Sequence, residues 1–251
     1  MIETRNVTVR FGGLTAVNDV SIKLLPNKIN SLIGPNGAGK TTFFNAISGV
    51  IEPDEGEIIF KGEHIEKKKG YQICAAGISR TYQIINLFWQ MSVIENVMVG
   101  MTTKLKSNFW QSLFSTKFEK NEEKEAYEKA MEYLRFVGLE DYAHARSSSL
   151  SYGNQRLLEI VRAMASGAEL LLLDEPAAGM NSTEKRELDV LLERILDRGI
   201  TILLVEHDMK LVMNVSDYIF VMYHGALLAE GVPEEIQANP EVIEAYLGGD
   251  E

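Results

Sequence analysis

Short apolar runs separated by turn residues open the chain. Glu3 to Phe11, then Val17, Val20, Ile22 and Leu24 in loose alternation, then Ile29 to Ile33 and Glu57 to Phe60 read as strands. Pro26-Asn27 and the stretch Pro53 to Gly56 supply turns between them. From about residue 86 to 165 the period lengthens: Ala126, Ala130, Met131, Leu134 and Val137 fall on one helical face that stops at Gly138. This stretch reads as a helical insertion. Beyond it, the apolar run Leu170 to Leu173, a helix from about Thr183 to Arg198 and the run Ile200 to Val205 give the order strand, helix, strand. Continuous apolar strands joined by a helix predict a parallel sheet covered on both faces, hence an α/β fold. Asn181 followed by Glu184 suits a capping box at the start of that helix, and Gly199 suits its end. No internal repeat or low-complexity tract interrupts the pattern.

Composition narrows the function classes. At 251 residues and 45% hydrophobic side chains, the chain can bury the core of one large domain. The net charge of −11 sets the chain as a whole against nucleic acid and anionic lipid. Lys67-Lys68-Lys69 then reads as a solvated loop. Cys74 is the single cysteine, so no internal disulfide framework is expected, in keeping with a reducing compartment. The N-terminus has no basic segment followed by an apolar core, and no run approaches the ~20 apolar residues of a membrane-spanning helix. The expected location is the cytosol, or a membrane reached only through a partner.

Gly34-Pro35-Asn36-Gly37-Ala38-Gly39-Lys40-Thr41, followed by Thr42, satisfies G-x-x-x-x-G-K-[ST] and sits between a strand and a helical pattern. Backbone N–H groups and a helix N-terminus there can cradle phosphate oxygens. Lys40 supplies a cation to the β and γ phosphates, and the Thr41 hydroxyl suits Mg²⁺, which takes oxygen ligands. Leu170 to Leu173 then delivers Asp174 and Glu175 to the C-terminal edge of a buried strand, where ligands bind open α/β sheets. Asp174 is the candidate for holding Mg²⁺, and Glu175 for orienting or deprotonating the attacking water. Leu150-Ser151-Tyr152-Gly153-Asn154-Gln155 precedes another helical pattern, with Ser151 as a candidate N-cap whose helix leaves free N–H groups for an anion.

With these elements in this order, the chain resembles the nucleotide-binding subunits of ATP-binding cassette transporters. Ser151, Gly153 and Asn154 lie in what looks like the family's signature loop, Gln83 looks like its Q-loop glutamine and His207 like its switch histidine. Phe11 resembles the aromatic that stacks on adenine, although a core position is the other reading of this residue. The match runs from Thr4 to about Leu228. It implies a single nucleotide-binding domain over 1–251, with a P-loop nucleoside-triphosphatase core of mostly parallel sheet flanked by helices. An N-terminal antiparallel β sub-domain and the inserted helical sub-domain at about 86–165 would complete it. It implies ATP and Mg²⁺ as cofactors, catalytic roles for Glu175, His207 and Gln83, and nucleotide contacts from Phe11, Gly34 to Thr42, Ser151, Gly153 and Asn154. Thr41, Gln83 and Asp174 would serve the metal.

The resemblance also implies partners: a second ATPase subunit, identical or related, joined head to tail, two transmembrane permease subunits, and indirectly a solute-binding protein, with no nucleic acid. The place of work would be the cytoplasmic face of the inner membrane, as a peripheral subunit. Phe11 to Val17, the Leu-Ser-Tyr-Gly form of the signature, Glu175 to Asn181 and the ending Ala245-Tyr246-Leu247-Gly248 resemble the branched-chain amino acid importers. Urea or amide importers and lipopolysaccharide-extracting ATPases share the pattern. Soluble cassette ATPases of translation or DNA repair usually carry tandem cassettes or a long coiled coil, absent here. A phosphate-loop kinase or GTPase would need neither the signature loop nor His207.

Three residues in two segments depart from the family. Tyr152-Gly153-Asn154 stands where Gly-Gly-Gln is usual, so not every contact of that Gln is expected of Asn154. Asn181 stands where many relatives carry Asp, which weakens expected polar contacts across a dimer. Leu87, Phe88, Trp89, Met91 and Val93 either wall a groove for a permease helix or pack internally. Phe109, Trp110, Phe114 and Phe118 read as core in preference to a membrane-proximal surface.

Overall fold

The computed structural model describes residues 1–101 and 117–247, side chains at 117–123 and 247 excepted. Two sheets form. The first is antiparallel and N-terminal, built from β1 (Ile2–Phe11), β2 (Leu14–Val20), β4 (Glu55–Phe60) and β5 (Glu63–His64) in the order β2-β1-β4-β5. The second contains β3 (Ile29–Ile33), β6 (Ile78–Arg80), β7 (Leu170–Asp174), β8 (Thr201–Val205), β9 (Tyr218–Tyr223) and β10 (Ala226–Gly231), ordered β10-β9-β3-β8-β7-β6. All its pairings are parallel except that of β10 with β9.

Every residue of β3, β7 and β8 is buried, as strands covered on both faces require. Strand alternation divides them between two cores. Leu171, Leu173, Ile202 and Leu204 face the helices, whereas Leu170, Leu172, Leu203 and Val205 share a cluster with Val7, Val17, Phe43 and Ile58 on the antiparallel-sheet side. The parallel sheet is thus the middle layer. Ile22 and Leu24 also lie in that second cluster, but beyond the end of β2, where only Lys23 bridges to Glu3.

The helical region contributes α3 (Val93–Gly100), α4 (Lys117–Phe136) and α5 (Tyr152–Ala165). Ala126, Ala130 and Leu134 of α4 are buried in the helical core, with Met131 and Val137 packed on it. The capping box of α6 (Ser182–Leu196) forms as the sequence predicts: the Asn181 side chain accepts from the Thr183 and Glu184 N–H groups, and the Glu184 carboxylate accepts from the Asn181 N–H. Phe109, Trp110, Phe114 and the Phe118 side chain lie outside the described residues. Among the described residues no helix is long and apolar enough to cross a membrane.

Candidate active site

The phosphate loop leaves β3 at Ile33 and enters α1 (Lys40–Ile47). Its shape depends on two glycines. Gly34 has φ 150 and Gly39 φ 97, and a Cβ on either would collide with a carbonyl oxygen, of Met222 in β9 or of Ala16 in β2. Gly39 caps α1 without any side-chain bond, leaving the first-turn amides to an incoming anion. Lys40 lies mostly buried inside the loop, where its ammonium donates to the carbonyls of Gly34 (2.7 Å) and Pro35 (2.9 Å). Burial pulls its pKa down, and the charges of Glu175 and Asp174 oppose that shift.

Three loops at the C-terminal edge of adjacent strands bring the other candidates together. Gln83 follows β6, Glu175 follows β7 and His207 follows β8. The Gln83 amide donates to Glu175 Oε2 at 3.1 Å, and His207 Nε2 meets Glu175 Oε1 at 2.8 Å. Glu175 itself has φ 47, a left-handed conformation that a side-chain-bearing residue adopts at some cost, pinned by its N–H bond to Val205 (2.9 Å). A cavity of about 500 Å³ runs from Leu14, Thr15 and Ala16 past Asn36 to Thr42 and on to Gln83, Glu175 and His207, flanked by His224 and Gly225.

Asp174 is buried at the end of β7, where Arg80 donates to its Oδ2 at 2.7 Å. Its Oδ1 and the Gln83 amide oxygen accept no hydrogen bond among the described residues. These and the Thr41 hydroxyl are hard oxygens of the type Mg²⁺ takes; Thr41 and Gln83 line the cavity, whereas Asp174 does not. Among the described residues no cluster of three His, Cys, Asp or Glu side chains would hold a metal unaided.

Phe11 does not line the cavity. It ends β1, half exposed, opposite Leu14, so the core reading of this residue is set aside. Ser151, Gly153 and Asn154 are not brought to the cavity either. Ser151 caps α5, accepting from the Asn154 N–H at 3.3 Å, while Gly153 lies against the Glu184 carboxylate and Tyr152 against Gly179. Of the residues around the Q-loop, Leu87 and Val93 are core, whereas Phe88, Trp89 and Met91 are exposed. Phe88 joins Val50, Tyr82 and Arg162 around a groove of about 480 Å³.

Several residues join the site without a sequence signal that assigned them. Arg80 donates to Asn45 Oδ1 (2.7 Å) and Ser48 Oγ (3.0 Å) as well as to Asp174, fixing β7 to α1. Glu206 is buried and accepts from the N–H groups of Ala177 (2.8 Å) and His207 (3.1 Å), tying the loop after Glu175 to the one carrying His207. Tyr246 of α9 (Pro240–Leu247) is still 38% exposed, yet its partial burial pushes the phenol up to about 12, a shift that the Gly34 backbone opposes. Glu206 directly precedes His207 in the sequence; for Arg80 the only cue is a charge at the end of a short strand.

A glycine-rich loop between β3 and α1, with carboxylates at the ends of neighbouring parallel strands, defines a phosphate-loop nucleoside triphosphatase. The "ABC transporter" family model matches residues 17–178, and the model "Branched-chain amino acid ATP-binding cassette transporter" matches 226–251. The "High-affinity branched-chain amino acid transport ATP-binding protein LivG" of Escherichia coli (strain K12) is 46% identical over 249 residues, covering 99% of this chain and 98% of that protein. The corresponding BraF of Pseudomonas aeruginosa is 45% identical over 249 residues, with coverage of 99% and 98%. A solved nucleotide-free ATP-binding cassette from an ABC transporter superposes with a TM-score of 0.86 at 30% identity, covering 99% of both chains. The chain belongs to the ATP-binding cassette transporter family.

Proposed function

We propose that this chain is the ATP-hydrolysing subunit of a transporter that imports branched-chain amino acids. The observation that carries the reading is the meeting of Gln83, Glu175 and His207 beside the phosphate loop. Near-full-length identity of 46% to LivG supports the solute class.

The γ-phosphate of ATP would lie among Lys40, the first-turn amides of α1 and His207. Glu175, held at both carboxylate oxygens, is placed to take a proton from a water whose oxygen attacks the γ-phosphorus. The bond to the β–γ bridging oxygen then breaks, leaving ADP and phosphate. Thr41, Asp174 and Gln83 would hold Mg²⁺, which would supply positive charge against the charge developing on the phosphates. Phe11, exposed at the mouth of the β1–β2 hairpin, is the candidate surface for adenine.

Ser151 and Gly153 stand away from the cavity of their own chain. This supports a head-to-tail dimer, identical or mixed, in which each signature loop closes the ATP site of the other subunit. Exposed Phe88, Trp89 and Met91 beside the Q-loop suit the cytoplasmic segment of a permease subunit. Two such permeases, fed by a solute-binding protein, would hold the chain at the cytoplasmic face of the inner membrane. Nucleotide-driven closure and opening would then switch the permeases between inward and outward states.

The test is Glu175→Gln. Losing a general base lowers turnover by about 10²- to 10⁴-fold. ATP affinity should be kept, an ATP-dependent dimer should accumulate in sedimentation, and cells carrying the variant should lose uptake of labelled leucine. Unchanged hydrolysis would overturn the assignment of the base, and unchanged leucine uptake beside lost hydrolysis would overturn the solute.

A further inference from the structure

Arg156 is the largest fully buried side chain of the described residues, and its ion pair with Glu159 at 2.8 Å is almost wholly excluded from solvent. Such a pair inside one helix is expensive to desolvate and is weak evidence for stability by itself. What the two side chains do beyond each other is specific. The Arg156 guanidinium donates to the backbone carbonyls of Tyr82 (2.6 Å) and Gln83 (2.8 Å), while Glu159 Oε1 accepts from the N–H groups of Tyr82 (3.5 Å) and Asn86 (3.2 Å). Helix α5 therefore grips the Q-loop by its main chain. The guanidinium also meets the Tyr152 hydroxyl at 3.3 Å, one residue after Ser151.

One end of this arrangement carries Gln83, hydrogen-bonded to Glu175 in the chain's own ATP site. The other end is the Ser151 N-cap, which on the proposed reading serves the ATP of the opposite subunit. We infer that Arg156, braced by Glu159, is a positioning residue that makes the Q-loop and the signature loop move as one body. A shift of Gln83 on nucleotide binding is thereby handed to Ser151. Buried hydrogen-bonded charges suit this role because the bonds made by both terminal nitrogens of Arg156 resist sliding, even though its Nε is buried without a partner. Lysine cannot replace the guanidinium, since a point charge on a flexible stem does not hold the two carbonyls and the carboxylate with a rigid fork.

The inference rests on the proposed roles of Gln83 and Ser151, and its test works on an isolated subunit. Hydrogen–deuterium exchange would be read at 82–86 and 151–156, with and without ATP and Mg²⁺. The chain would carry Glu175→Gln to stop turnover, at concentrations where sedimentation finds monomer. In the parent, nucleotide should slow exchange in both segments. In Arg156→Lys, with ATP affinity retained, the response at 151–156 should shrink by about fivefold or more, the lower end of a typical coupling, while that at 82–86 persists. Glu159→Gln, which keeps shape and one acceptor, should do the same if Arg156→Lys folds poorly.

A merely structural pair would lower the melting temperature and leave the two responses in step, which would overturn the inference. So would a parent whose signature segment ignores nucleotide. A parent that bound no ATP would instead sink the functional reading, and this inference with it.

Discussion

Replacing Arg80 with methionine removes the cation from a pair with Asp174 at 2.7 Å in which both side chains are only 6% exposed. Taking away one partner of a buried pair costs about 3–5 kcal/mol, because the remaining charge keeps its desolvation and loses its compensation. The low end applies here: the charge of Lys40 also acts between itself and Asp174, and Asn45 and Ser48, which lose a donor, are partly exposed and can bind water instead. The expected loss is about 3 kcal/mol, which includes the guanidinium's contacts over the Phe44 and Tyr82 rings at 5.5 and 5.1 Å. Urea unfolding followed by tryptophan fluorescence would measure it.

A double-mutant cycle with Asp174→Asn then separates the pair from those ring contacts. The two losses should fall short of additive by about 2 kcal/mol, since either change alone already breaks the pair. A loss below about 1 kcal/mol for Arg80→Met, or additive single effects, would refute the claim that Arg80 holds Asp174 in place.

Gly39→Ala places a side chain at φ 97 against the Ala16 carbonyl, so the loop must open or strain. ATP affinity, read by a fluorescent nucleotide, should fall by about tenfold or more, since a strain of about 1–2 kcal/mol is the minimum for that conformation; unchanged affinity would show that the loop tolerates another shape. Burial pushes the Glu206 carboxyl above its ordinary 4.5, the N–H groups of Ala177, His207 and Asp208 pull it back, and the charge of Glu175 pushes it up again. The folded protein thus holds this proton to higher pH than the unfolded chain. That contribution to stability is complete below 4.5 and is lost as pH rises through the raised value. The parent should therefore lose stability relative to Glu206→Gln as pH rises above 4.5, and a difference independent of pH would contradict the assignment.

The phosphate loop, β7, β8 and the placing of Glu175 could be read from the sequence because each is written locally, in a few residues in or just after an apolar run, whereas Gln83 and His207 were implied only by the family resemblance. The capping box at Asn181 was legible for the same reason. What could not be read is held by long-range partners. Arg80 finds Asp174 across 94 residues, and Arg156 finds the Tyr82 carbonyl across 74. No local pattern distinguishes such buried arginines from solvated ones. Strand β6 is three residues long and shows no period that stands out, whereas β9 is a six-residue apolar run that the sequence reading passes over. In the stretch 87 to 93, Leu87 and Val93 turn inward while Phe88, Trp89 and Met91 turn out, a division that apolar character alone cannot make.

The register of the sheet explains why three separate loops can share one carboxylate. Arg80 pairs beside Leu172 and Asp174 beside Val205, so the residues that follow β6, β7 and β8 leave the sheet at neighbouring heights. A slip of one residue in β7 would turn Asp174 to the other face and point Glu175 away from His207. The continuous burial of β7 does not forbid that slip by polarity, since leucines occupy both faces. Two polar anchors do: the Asp174 N–H donates to Thr81 Oγ1 at 3.3 Å, and the Asp174 carboxylate accepts from Arg80. Both anchors come from β6 and its exit, the segment that leads directly to Gln83. The short strand that sequence reading overlooks therefore helps set the register of β7 and the position of the glutamine that touches Glu175.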